Sequence, residues 1–190
     1  MQPGSPQECS EDGRQRRIAE LTFKQKLVVG FIALWLAINI LVPLRYLFYP
    51  GNVSWTEEGH RFAWMMKLRD KDAEARFTVR DPASGREWRV APERYLARHQ
   101  LGEIESRPDM VLQFAHHLAR VWAEERKIPG VEVRARVCVS LNGRPAALLI
   151  DPQRDLARIE RNLRHADWIL PLALPFERPE PRTGRVDLRC

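Results

Sequence analysis

From Leu27 to Leu44 the chain reads LVVGFIALWLAINILVPL, eighteen residues without a charge. A helix rises about 1.5 Å per residue, so a run of this length just reaches across a hydrocarbon core of roughly 30 Å. Lipid offers no water to unpaired peptide groups, and the run must therefore be helical if it crosses. A cleaved leader would have an apolar core of about 7–15 residues ending in small side chains. Here the run continues instead into Pro43-Leu44-Arg45-Tyr46-Leu47-Phe48-Tyr49, whose aromatic residues suit the membrane interface. The expectation is a retained transmembrane helix with its interfacial belt over residues 27–49. Arg14, Arg16, Arg17, Lys24 and Lys26 precede it and only Arg45 follows closely. The positive-inside rule then makes residues 1–26 a cytoplasmic basic segment and everything beyond the span extracytoplasmic, in a single-pass protein whose first partner is the bilayer. Asn39 and Pro43 put polar groups within the span. Either they are tolerated near a helix end, or the helix packs against other membrane helices.

The rest of the 190 residues leaves room for one ordinary domain and not for a second large catalytic one. Hydrophobic residues make up 44% and charged residues 29%, a balance that supports a packed core over most of the length. The net charge of +6 is spread thinly, and most arginines have an acidic neighbour within a few positions. Without a basic stripe interleaved with aromatics, nucleic acid is not an expected partner. Cys9, Cys138 and Cys190 are too few and scattered for a disulfide framework, their redox state stays open, and no Cys/His spacing suggests a metal.

Beyond the Pro50-Gly51 turn signal, residues 55–68 give mixed periodicity and read as an irregular, aromatic-rich stretch. Phe77 and Val79 alternate with polar neighbours, DPASG breaks the chain, and Trp88 and Val90 alternate again, which predicts a hairpin. Ser106 followed by Pro108 and Asp109 marks a helix start. Met110, Phe114, His117 and Val121, widened by Val111, Leu118 and Trp122, supply the apolar stripe, and Pro129-Gly130 stops it. His117 then reads as a core histidine, with His116 pointing elsewhere. Asn142-Gly143 is a type I′ dipeptide between apolar runs. A two-residue loop there would set Val139, Val137 and Ala135 opposite Ala146, Leu148 and Ile150, leaving Arg134, Arg136 and Cys138 on the other face, with Cys138 a small buried hydrophobe. Asp151-Pro152 is expected to cap a short helix in which Leu156, Ile159 and Leu163 share a face. Residues 175–190, rich in Pro, Arg and Glu, are expected to be a disordered tail. The fold class is thus α+β: one N-terminal transmembrane helix, then an extracytoplasmic domain, residues 50–174, with antiparallel hairpins and about two helices.

Three stretches carry a resemblance. VPLRYLFYPGNVSWTEEGHRFAWMMKLRDK (42–71), PDMVLQFAHHL (108–118) and VSLNGRPAALLIDPQRDL (139–156), followed by WILPL (168–172), occur here in that order. Together they resemble the last membrane helix and luminal domain of vitamin K-dependent gamma-carboxylases, bacterial relatives in particular. The resemblance implies an enzyme that deprotonates reduced vitamin K, lets the hydroquinone react with oxygen to make a strong base, removes a gamma proton from glutamate and adds carbon dioxide to the carbanion. In that family the basic lysine lies in an upstream multi-helix membrane bundle. No segment here corresponds to it, and neither Lys24 nor Lys26 is assigned that role, so no catalytic residue is expected in this chain. Ala63 stands where the family's serine before the tryptophan would be, which puts any polar contact made there in doubt.

The resemblance links Trp55, His60, Phe62, Trp64 and Arg69 to binding of the glutamate substrate. Arginine and histidine can pair with a carboxylate while aromatic walls exclude water and strengthen the pairing. Tryptophans next to a membrane can equally be plain interfacial anchors. The function this implies is the C-terminal portion of a gamma-glutamyl carboxylase-like protein, inactive alone and working with an upstream multi-helix membrane subunit on a glutamate-containing peptide. The alternative is a non-catalytic, membrane-tethered binding protein for acidic peptides. An autonomous enzyme lacks any visible constellation: there is no GxSxG, HExxH or P-loop.

Overall fold

A computed structural model describes residues 22–64, 69–172, 188 and 190, in two compact units, Met1–Asn39 and Ile40–Cys190. The first unit consists, in its described part, of helix α1, Phe23–Leu44, whose last residues belong to the second unit. Its 22 residues reach about 33 Å, and its side chains, from Phe23 to Leu41, are almost all exposed. The segment Phe23–Phe48 is long and apolar enough to cross a membrane. Asn39 finds a partner in its own helix, its Nδ2 donating to the Trp35 carbonyl at 2.7 Å. Arg14, Arg16 and Arg17 lie outside the described residues.

The second unit continues through a 3₁₀ turn, Arg45–Phe48, to the single helical turn α2, Val53–Thr56. Strand β1, Lys71–Arg80, and β2, Glu87–Val90, form the expected hairpin, with Phe77 opposite Val90 and Val79 opposite Trp88. Helices α3, Arg98–Ser106, and α4, Pro108–Glu124, come next, followed by β3, Glu132–Leu141, and the short β4, Ala147–Leu148. The sheet is antiparallel in the order β2-β1-β3-β4. Ala75, Phe77 and Val79 of β1 and Val133, Ala135, Val137, Val139 and Leu141 of β3 share the buried face. The apolar stripe of α4, from Val111 through Phe114, Leu118 and Trp122, joins them in one core, and the Phe77 and Phe114 rings meet edge to face at 4.8 Å. His117 lies against Phe114 and Tyr95, and His116 bonds the Ile159 carbonyl at 2.9 Å, so the two rings do face apart.

Three local expectations need correction. Asn142 and Gly143 have φ of 52° and 73° and Arg144 N–H donates to the Leu141 carbonyl, the two-residue turn expected. The ladder beyond it is displaced by one residue, however: Val139 faces Ala147 and Cys138 faces Leu148. Pro145 has no N–H to give the ladder, so pairing resumes one residue later, and Ile150 pairs instead with Ile169. Asp151 does not cap a helix; its carboxylate bonds Gln153 N–H, and Asp155 caps the 3₁₀ turn Leu156–Arg158 by accepting from Ala157 N–H. Leu156 is buried and Leu163 exposed, so they share no face. Cys138 is buried, as expected, and its open redox state is settled by a disulfide to Cys190. Most of the tail expected to be disordered lies outside the described residues, while Cys190 at its end is tied to the sheet.

Candidate functional site

Asn52 caps α2 by accepting from Ser54 N–H at 2.9 Å, and the helix ends after one turn because Glu57 takes a left-handed conformation, φ 61° and ψ 9°. Glutamate rarely adopts that region, and residues held there at a cost gather at functional positions. The turn is packed tightly: a Cβ on Gly59, φ +69°, would come within 2.6 Å of the Tyr46 Cα. This backbone path aims the Glu57 carboxylate at the start of β1.

There it meets three cations. Lys71 Nζ donates to Glu57 Oε1 at 2.9 Å, and also to the carbonyls of Trp55 at 2.9 Å and Ser106 at 3.2 Å. All three ammonium protons are thereby used. Arg69 Nη2 and Arg107 Nε approach Glu57 Oε2 at 3.4 and 3.3 Å. The side chains of Lys71 and Glu57 are only 4% and 6% exposed. Burial pushes the Lys71 pKa below its ordinary value, against the opposing pull of Glu57. Arg107 is anchored by Glu103 at 2.8 Å, a bond that raises its pKa further.

These groups line a cavity of about 460 Å³ together with His60, Asp70 and Gly102. The His60 pKa is held below its ordinary value by burial and then by the positive charge of Arg69. The five residues expected to form the site do not come together. His60 and Arg69 line the cavity. Trp55 is buried in the core and does not line the cavity, its Nε1 donating to the Leu170 carbonyl at 2.8 Å and its own carbonyl holding Lys71. Phe62 and Trp64 are 76% and 78% exposed, with the Arg45 guanidinium 5.8 Å from the Phe62 ring. Glu57, Lys71 and Arg107 were not singled out by sequence, although the first two lie within the quoted stretch 42–71. Arg107 bore no signal beyond its place before the Pro108 helix start. Among the described residues no group of His, Cys, Asp and Glu could hold a metal ion.

The family comparison decides what this unit is. The model of the vitamin K-dependent gamma-carboxylase lumenal domain matches residues 24–174, from the second residue of α1 to just beyond the last described strand contacts. The chain belongs to this family. Comparison with curated proteins and with solved structures finds no match. The matched region of the gamma-carboxylase lumenal domain takes in the apolar helix, the four-stranded sheet, the charged cavity and the segment 168–170 that closes over Leu149 and Ile150. Both the candidate membrane span and the Glu57 cluster are thus parts of the family's domain.

Proposed function

We propose that this gamma-carboxylase lumenal domain binds glutamate side chains of a peptide, at Arg69 and His60 in the cavity they share with Lys71 and Arg107. The observation that carries the reading is the cluster's handling of a carboxylate of the chain itself: Glu57 is held by three cations. Arg69 pairs only with Glu57 among the described residues and remains partly exposed, leaving guanidinium donors for a second carboxylate. Asp70 and Glu103 also line the cavity, so recognition rests on where the donors point and not on a field of one sign.

Binding is expected to be modest, because a partly exposed ion pair gains little in high dielectric. Titration of the full chain in detergent with glutamate-containing peptides should show affinity falling as salt rises past the range where the Debye length is about 8–10 Å. Arg69→Ala should weaken binding more than Arg94→Ala, which removes an equally positive but exposed side chain outside the cavity. Equal losses would mean that net charge alone is being read. A carboxylate beside His60 stabilises its imidazolium against Arg69, Arg107 and Lys71, so binding takes up a proton. Affinity should therefore rise as pH falls below the ordinary histidine value of 6.5 toward the lowered His60 value, and fall again as the peptide glutamates protonate near pH 4.3.

Reduced vitamin K, carbon dioxide and oxygen belong to the complete reaction. The charged cavity does not fit the hydroquinone, because the ammonium of Lys71 is already committed to three acceptors there. The base for proton abstraction comes, in this reading, from a multi-helix membrane partner. A tethered binder of acidic peptides would use the same cavity without that partner. The basic residues before α1 and the Cys138–Cys190 disulfide, a bond favoured in oxidising compartments, both support an extracytoplasmic domain. Protease added to intact spheroplasts should degrade residues 50–190; protection there with cleavage in inverted vesicles would reverse the orientation.

A further inference from the structure

Helix α1 ends at Leu44 and passes directly into the turn Arg45–Phe48, which a membrane-crossing helix would deliver to headgroup depth. Within the same compact unit Arg45, Phe48, Tyr49, Leu163, Arg164 and His165 line a shallow groove of about 380 Å³. Its apolar members face outward: Phe48 is 87% and Leu163 79% exposed. The groove is braced from below. Tyr49 Oη donates to the Leu163 carbonyl, and the Glu58 carboxylate is occupied by the His165 ring and by Ala166 N–H at 2.7 Å. Arg45 and Arg164 form no ion pair among the described residues; Arg45 touches the Gly59 carbonyl at 3.5 Å and the Phe62 ring.

We propose that this groove binds an anionic phospholipid of the bilayer that α1 crosses. Arg45 and Arg164 take the phosphodiester, and Phe48 and Leu163 lie along the start of an acyl chain. Two features favour lipid over any other occupant. The groove is covalently continuous with the end of the span, and it pairs exposed apolar side chains with cations that have no counter-ion among the described residues. Arginine donors suit phosphate oxygens, and burying a phenylalanine or leucine side chain against an acyl chain removes apolar surface from water, which is favourable.

The test uses the full chain in non-ionic detergent and native mass spectrometry with dioctanoyl phosphatidylglycerol, dioctanoyl phosphatidylcholine or inorganic phosphate. One phosphatidylglycerol should be retained in preference to phosphatidylcholine. Arg45→Ala with Arg164→Ala should reduce that retention by about tenfold or more, the scale of losing a charge-assisted bond, while Arg94→Ala leaves it unchanged. Should the double variant fail to fold, Arg164→Gln alone, at an exposed position, should still lower retention by about threefold on the same scale. Leu163→Asn, polar but uncharged, should weaken phosphatidylglycerol without altering the response to inorganic phosphate. Equal retention by the arginine variants and the parent chain would overturn the proposal. So would equal retention of the two lipids, or displacement of phosphatidylglycerol by inorganic phosphate or by a glutamate-containing peptide, which would reassign the groove.

Discussion

Glu57→Ala should destabilise the second unit by about 3–5 kcal/mol, the scale of removing one partner from a buried ion pair. Lys71 would keep its two carbonyl acceptors, Trp55 and Ser106, but lose the anion that offsets its desolvation. Arg69 and Arg107 would lose the same carboxylate. The double variant Glu57→Leu/Lys71→Met should recover most of the loss, because an apolar pair of similar volume is often neutral where a buried pair has been replaced. Urea unfolding of the full chain in detergent measures both. A single-variant loss below about 1 kcal/mol, the range of exposed pairs, would show that solvent already screens the cluster. The pH dependence has a definite sign. Because the folded state holds the Lys71 proton less firmly than the unfolded chain does, the unfolded state binds more protons between the lowered pKa and 10.5. Stability contributed by this group therefore climbs with pH across that window, and Glu57→Ala should widen the window downward.

Trp55→Ala should cost a similar amount, about 3–5 kcal/mol, through a different cause. The indole is almost wholly buried, so alanine leaves a cavity that the surrounding core can only partly close. Trp55→Phe should cost less, since it keeps most of the volume while leaving the Leu170 carbonyl without its 2.8 Å donor, a penalty of about 1–3 kcal/mol. If Trp55→Ala unfolded within about 1 kcal/mol of the parent, the buried indole would not be what holds the α2 turn, and with it the carbonyl that Lys71 bonds, against the core. The same burial makes Trp55 a poor reporter of peptide binding. Loss of binding in Trp55→Ala would follow from loss of the fold, whereas Arg69→Ala removes a donor from a cavity that remains.

Much of the architecture was legible because it rests on local physics. The uncharged run predicts α1, the apolar stripe with Pro108 at its start predicts α4, and alternation about DPASG and about Asn142-Gly143 predicts both hairpins. The misses have identifiable causes. The first half of β1, Lys71 to Ala75, is poor in strand formers and is held extended by pairing with Val137 to Leu141 of β3. Helix α3 carries Gly102 and a weak stripe, and only Ile104 anchors it in the core. The expected helix after Asp151 gives way because Asp155 bonds both Val133 N–H and Ala157 N–H, a tie to β3 that no local pattern records.

What the sequence determined alone was whatever depends on near neighbours: an apolar span of sufficient length, turns at Asn142-Gly143, the period of α4, and an ordered set of segments specific enough to mark the gamma-carboxylase lumenal domain. Tertiary structure decided which charges meet. Glu57, Arg69 and Lys71 are close in sequence, but Arg107 and the Ser106 carbonyl arrive from the far end of α3. Cys138 and Cys190 are joined across 52 residues. Phe62 and Trp64, near His60 in sequence, are turned outward while Trp55 is turned in. The reason is that a carboxylate's partners are selected by Coulomb attraction and desolvation over a few ångströms of space, and distance along the chain enters neither term.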